Sequence, residues 1–272
     1  MEIPFTKLEG NGNDFVVIDE YAKVIIPDDM KAQFASLYCD RHFGIGADGV
    51  MFLSKSGIGN LKMRLFQPDG SEAEMCGNGI RCLVKYAFDA GYVKDSCTVE
   101  TPAGEMPVLL GFRDDEFYAT ITMAKPKFDR KDIPATGEGD YKETIGLYEV
   151  YAVNTGVPHA VVFVDELDKV DVASHAQQIR FHDTFPQGAN VNFVQVTGPD
   201  ALSIRTFERG VEAETLSCGT GATASAALAH KLGKTGTTVQ IDTKGGPLTI
   251  TLDGVTKMEG PAATVFAGVI SF

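Results

Sequence analysis

Alternation of apolar and polar residues runs along most of this chain, and it predicts strands. In the first half the alternating segments are Phe15–Asp19, Val50–Leu53, Lys62–Phe66, Thr98–Glu100, Met106–Leu110 and Tyr118–Met123. In the second half they are Tyr151–Val153, Ala160–Val164, Asn192–Val196, Leu202–Phe207, Thr238–Asp242, Leu248–Leu252 and Thr264–Ile270. Two segments carry a helical pattern instead. After Cys76, residues Ile80, Leu83, Val84, Ala87 and Phe88 share one stripe, with Arg81, Lys85 and Asp89 opposite. After Cys218, small apolar residues such as Ala222, Ala224, Ala226 and Ala229 surround the axis, which predicts a buried helix packed by sheet. The polar stretch Lys131–Glu143, with Pro134, Gly137 and Gly139, predicts an exposed loop.

The two helical segments open alike, as Cys76-Gly77-Asn78-Gly79 and Cys218-Gly219-Thr220-Gly221, 142 residues apart. Each ends at a Gly fifteen residues after its Cys, Gly91 and Gly233. The same offset relates Glu100-Thr101-Pro102-Ala103-Gly104 to Asp242-Thr243-Lys244-Gly245-Gly246, and Gly46-Ala47-Asp48 to Gly188-Ala189-Asn190. Nearby offsets relate Arg64-Leu65-Phe66 to Arg205-Thr206-Phe207, Glu72-Ala73-Glu74 to Glu212-Ala213-Glu214, and Gly12 to Gly156. An internal duplication accounts for these matches. It implies an α/β fold of the α+β type. Two pseudo-symmetric domains are expected, each a curved, largely antiparallel sheet wrapped around a central helix. The first domain is expected over residues 1–124 with Cys76, and the second over 125–272 with Cys218. The last strand, about 262–272, is a candidate to pack on the first domain.

Bulk properties narrow the function. A length of 272 residues suits two domains without disulfide support. Five Cys is an odd number, and their spacing fits no zinc pattern, so reduced thiols and a cytoplasmic location are expected. No signal peptide and no membrane-length apolar run is evident. A net charge of −13 argues against nucleic acid and anionic membranes as partners. Gly44-Ile45-Gly46-Ala47-Asp48-Gly49 fits the dinucleotide fingerprint formally, but a strand rather than a helix follows it. Gly233-Lys234-Thr235 ends a helix, where a phosphate loop would open one. No metal or other cofactor is expected.

The chemistry rests on Cys76 and Cys218. A helix N-terminus has unpaired N–H groups and partial positive charge, which favour a thiolate. Those N–H groups, with Gly77, Gly79, Gly219 and Gly221 allowing close approach, also suit a carboxylate. A base beside a carboxylate cradle matches removal of an α-proton from an amino acid. Two equivalent thiols match delivery of a proton to the opposite face, one starting as thiolate and the other as thiol. Cys39, Cys82 and Cys97 lack this setting and are expected to be small buried residues.

Glu74-Met75-Cys76-Gly77-Asn78-Gly79-Ile80-Arg81-Cys82 and Ser217-Cys218-Gly219-Thr220-Gly221 resemble the motifs of diaminopimelate epimerases. So do Gly12-Asn13-Asp14-Phe15-Val16-Val17, Gly44 to Gly49, Pro158-His159, Phe185-Pro186, Asn190-Val191-Asn192-Phe193 and Glu208-Arg209-Gly210, in the family's order. The resemblance implies a cofactor-independent, usually dimeric enzyme that interconverts LL- and meso-2,6-diaminopimelate in lysine and peptidoglycan precursor synthesis. It implies Cys76 and Cys218 as acid and base, with His159 and Glu208 as the polar pair that tunes them. Gly77, Asn78, Gly219 and Thr220 would hold the reacting carboxylate, and Asn13, Gln67, Asn190, Glu208 and Arg209 would bind other polar groups of the substrate. Arg209 suits bidentate contact with the distal carboxylate. Gln67 stands where many members have Asn, Val157 where many have Asn before Pro-His, and Gly49 where Gln is frequent. Two other readings share the pattern: a proline or hydroxyproline racemase-like enzyme, and a non-catalytic ligand-binding relative. An Arg at the distal end has no use for a substrate with one carboxylate.

Overall fold

A computed structural model describes residues 2–272. It divides into two compact units: one runs up to Ile121 and takes in Gly260–Phe272, the other is Thr122–Glu259. The first unit contains β1 (Glu2–Gly10), β2 (Asn13–Asp19), α1 (Lys31–Tyr38), β3 (Gly49–Lys55), β4 (Leu61–Phe66) and β5 (Glu72–Ala73). It continues with α2 (Gly77–Asp89), β6 (Ser96–Thr101), β7 (Gly104–Arg113) and β8 (Glu116–Thr122). The second contains β9 (Lys142–Ile145), β10 (Tyr148–Asn154), β11 (Pro158–Phe163), α3 (Val172–Arg180), β12 (Asn190–Gly198) and β13 (Ala201–Glu208). Then come β14 (Ala213–Thr215), α4 (Gly219–Lys231), β15 (Thr238–Thr243), β16 (Gly246–Thr251) and β17 (Lys257–Pro261). The chain finishes in β18 (Ala263–Ser271), which pairs antiparallel with β1 in the first unit.

Both units have one topology. In the first, the ladder runs β18-β1-β2-β3-β4-β6-β7-β8, with β5 added on β4. In the second it runs β9-β10-β11-β12-β13-β15-β16-β17, with β14 added on β13. Only β2–β3 and β4–β6 are parallel in the first ladder, and only β11–β12 and β13–β15 in the second. Parallel neighbours need a crossover, and the four helices supply the four crossovers. Each sheet curls around the helix that starts with a motif Cys. Helix α2 packs on β1, β2, β3, β4 and β18, and α4 on β10, β11, β12, β13, β15 and β16. The curl is closed by Ala262 N–H donating to Phe117 O in the first unit and Met123 N–H donating to Thr256 O in the second.

The helices end as the sequence predicts. Gly91 and Gly233 have φ of 76° and 69°, a left-handed cap that L side chains rarely adopt. Tyr92 N–H then reaches Ala87 O, and Lys234 N–H reaches Ala229 O, at 2.8 Å each. Every residue from Gly221 to Ala229 is buried, as the small-residue pattern requires.

Three sequence expectations are corrected. Arg81 does not lie on an exposed face; it is fully buried, donating from Nε to Pro261 O and from Nη2 to Asn11 Oδ1. The stretch Lys131–Glu143 is not simply exposed, because Ile133 and Tyr141 enter the core of the second unit and β9 begins at Lys142. The equivalent of Glu72 is Glu214 rather than Glu212, since Arg64 clasps Glu72 as Arg205 clasps Glu214.

Phe193 is fully buried at the centre of the second unit, its ring edge-on to Tyr148 at 5.4 Å. Phe193→Ala is expected to destabilise that unit by about 3–5 kcal/mol, read as a lowered urea midpoint.

Candidate active site

Each motif Cys is the residue that caps its helix. Cys76 and Cys218 have extended backbones, with φ of −143° and −131°, immediately before the first helical residue. A side chain there points back across the first turn, toward the N–H groups that no helical carbonyl can satisfy.

In the first unit, Cys76 is half-buried, and its Sγ accepts from Gly79 N–H at 3.4 Å. The Cys76 thiol also meets Asn13 Oδ1 at 3.6 Å. The same oxygen receives Asn78 Nδ2 at 3.4 Å. Asn13 Nδ2 in turn donates to Asp48 Oδ2 at 2.7 Å. Asp48 belongs to a charged cluster. Arg41 binds Asp14 through both terminal nitrogens and reaches Asp48 at 2.8 Å, while Lys7 lies 2.8 Å from Asp14. Burial works to raise the Asp14 carboxyl, but Arg41 and Lys7 outweigh it and hold it at about 2. The cluster therefore anchors Asn13, which the strand start of β2 delivers to the cysteine. Gln67 is exposed in the turn after β4.

In the second unit the surroundings differ. Cys218 is 7% exposed, and its Sγ lies 3.4 Å from Thr220 Oγ1. Thr220 Oγ1 lies 2.9 Å from His159 Nε2, and His159 Nδ1 lies 3.0 Å from Asn192 Nδ2. Thr206 Oγ1 donates to Asn192 Oδ1 at 2.9 Å. Thr155 Oγ1 donates to Thr220 O at 2.9 Å. Glu208 accepts from Thr215 Oγ1 at 2.5 Å. Asn190 Oδ1 accepts from Arg209 N–H at 2.8 Å, and Arg209 Nη1 donates to Gln187 O at 3.1 Å.

These environments set protonation. Burial, then the charge of Glu208, pushes the Cys218 thiol far up, against the Thr220 hydroxyl and the Gly221 N–H. The expected thiolate preference of a helix N-terminus is thus overturned at Cys218, where desolvation is the larger effect. Burial also lowers His159 to about 3, with the charge of Arg209 adding to it, so the ring is neutral. The other three thiols are buried, and burial raises Cys39 to about 12 and Cys97 to about 11. Among the described residues no cluster of His, Cys, Asp or Glu could hold a metal ion.

Several of the residues singled out from the sequence lie in contact within each unit. Cys76, Gly77, Asn78 and Asn13 meet in the first. In the second, Thr220 joins Cys218 to His159, and Asn190 meets Arg209. Sequence reasoning gave no role to Asn192, Thr206, Asp48 or Arg41. A signal for Asn192 existed: it lies two residues from Asn190 in a strand, hence on the same face.

A family profile for diaminopimelate epimerase matches residues 5–128 and 151–265. The diaminopimelate epimerase of Methanothrix thermoacetophila is 54% identical over 99% of this chain and 96% of its own length. That of Methanocella arvoryzae is 53% identical over 99% of this chain and 97% of its own. Among solved structures, a Bacillus anthracis phenazine biosynthesis protein of the PhzF family superposes with a TM-score of 0.76, covering 100% of both chains at 18% identity. That likeness shows the duplicated fold.

Two outcomes are expected from this electrostatic picture. Iodoacetamide at neutral pH labels the half-buried Cys76 at least about ten-fold faster than Cys39, Cys82 or Cys97, as peptide mass mapping reads. For His159, the unfolded chain takes up a proton near pH 6.5 while the folded chain does so only near pH 3. Stability therefore falls as pH drops from 6.5 toward 3, and His159→Gln flattens that limb in urea midpoints measured against pH.

Proposed function

The chain belongs to the diaminopimelate epimerase family, and from that premise we infer that it interconverts LL- and meso-2,6-diaminopimelate without pyridoxal phosphate. The observation that carries the chemistry is the repeated one: a cysteine stands at the N-cap position of α2 and another at the N-cap position of α4.

Cys76 and Cys218 are assigned as the acid and base. One thiolate takes the proton from the α-carbon, and the other thiol gives a proton to the opposite face, so the configuration inverts and the roles exchange. Charge moves onto the α-carboxylate as the proton leaves. Backbone donors at Gly77-Asn78 and Gly219-Thr220 are assigned to that carboxylate, where fixed dipoles lower the barrier most. The resting proton is assigned to Cys218, whose burial and nearby Glu208 favour the thiol. Cys76, with a Gly79 N–H on its sulfur and more exposure, is then the base in that direction. Arg209 is assigned to the distal carboxylate, with Asn190 holding its backbone and Asn13 and Gln67 contributing polar contacts.

A cytoplasmic homodimer is part of the same proposal. No helix among the described residues is long and apolar enough to cross a membrane. Strand β18 pairs with β1 yet leaves Val265, Phe266 and Val269 exposed by 55%, 46% and 62%. A second copy, related by a two-fold axis, is the occupant proposed for this face.

Purified protein given LL-diaminopimelate, with no pyridoxal phosphate, is expected to form the meso isomer. Cys76→Ala and Cys218→Ala each should lower the rate by about 10²–10⁴-fold. Full activity in either variant would remove the assignment. In light scattering, Phe266→Glu with Val269→Glu is expected to halve the solution mass; an unchanged dimer would place the interface elsewhere.

A further inference from the structure

We propose that Asn192 is a positioning residue that fixes the ring tautomer of His159 and, through Thr220, makes a hydrogen-bond donor face Cys218. The proposal rests on the acid–base role assigned to Cys218 above. It starts from a group whose chemistry allows no choice. The carbonyl oxygen of Ala160 can only accept, and the Asn192 amide lies 3.0 Å from it. Asn192 is fully buried, so no water relieves a mismatch. Its amide must therefore turn Nδ2 toward Ala160 O. Its Oδ1 then takes the hydroxyl proton of Thr206, at 2.9 Å.

The direction propagates. Asn192 Nδ2 has a second hydrogen, and it points at His159 Nδ1, 3.0 Å away. Nδ1 must accept, so the single proton of the neutral ring sits on Nε2. Nε2–H donates to Thr220 Oγ1 at 2.9 Å. The Thr220 hydroxyl proton is then free to turn to its other neighbour, Cys218 Sγ, at 3.4 Å. A thiolate formed at Cys218, once its proton has passed to substrate, meets a donor that opposes the burial and the Glu208 charge around it. With the other tautomer, Thr220 would donate to Nε2 and leave that sulfur a lone pair instead.

The first unit has no such chain. Strand register places Phe15 opposite Gly49, as His159 is opposite Asn190, so the ladders match Asn190 with Gly49 and not with Asp48 as the sequence offset does. Continuing along the ladders, Met51 and Leu65 stand where Asn192 and Thr206 stand. The polar chain belongs to the more deeply buried cysteine alone. It also explains the packing of the α4 start: a side chain at position 221 would come within 2.4 Å of Asn192 Oδ1, so the amide sits directly under the first turn.

The test reads the tautomer without reference to activity. The protein is labelled with ¹⁵N-histidine, and the His159 signals are assigned by their loss in His159→Gln. Nδ1 is expected in the unprotonated range and Nε2 in the protonated range at neutral pH. A proton on Nδ1 overturns the proposal even if the enzyme epimerises diaminopimelate normally. Asn192→Met, which installs the residue of the equivalent position, should lower kcat by about 10- to 100-fold, the loss expected for one hydrogen bond to a charged sulfur, with KM little changed. It should also give mixed tautomer signals at His159. A wild-type kcat in a folded Asn192→Met variant overturns the proposal as well.

Discussion

A sulfur at the first turn of a helix is pulled in opposite directions by the two properties that make the place useful. Free N–H groups there favour the thiolate, while burial under a wrapped sheet favours the thiol. At Cys218 burial and the Glu208 charge are the larger effects, and the proton stays. At Cys76 the sulfur is only half-buried and holds a Gly79 N–H. A reaction that takes a proton from one face of a carbon and returns one to the other starts with one sulfur charged and the other protonated, and unequal burial favours that distribution.

Duplication builds the pair, and divergence within the duplicated sheets makes its members unlike. The ladders match strand for strand, down to the parallel crossovers and the left-handed glycine after each central helix. The inward side chains do not match. The first unit puts Phe15, Met51 and Leu65 beneath its helix, and the second puts His159, Asn192 and Thr206 there. A buried polar chain survives only when every member is satisfied, and Ala160 O and Thr206 close this one at its far end. The first unit relies on a different device. Its Asn13 is held from the surface side by Asp48 and Arg41, a charged cluster that the deeper second site does not use.

Much of this was legible in the sequence because the repeat and the alternation report local constraints. Strands such as Lys62–Phe66 and Leu248–Leu252 lie inside β4 and close to β16, because one face of each is buried and the other wet. β1 escaped notice because Pro4, Lys7 and Glu9 break its apolar pattern; the buried Lys7 ammonium is matched by Asp14 and by the Gly46 carbonyl. α1 escaped because its buried Lys31 reads as a surface residue, while its ammonium group in fact meets Glu20 at 2.8 Å. Arg81 misled for the same reason: its charge is buried against Pro261 O and Asn11, residues far apart in the chain. Pairings over such separations leave no trace in a local pattern. The Glu72 match is ambiguous in the sequence because Glu212 just precedes β14 and Glu214 lies within it, and only the partner Arg205 identifies Glu214.

Deuterium incorporation tests the two-sulfur account most directly. LL-diaminopimelate is incubated in heavy water, and both isomers are recovered at low conversion. The account predicts deuterium at the inverted carbon of the meso product and almost none in the remaining substrate, since each face has its own proton donor. Equal early labelling of both isomers would mean that one group serves both faces, and would contradict it.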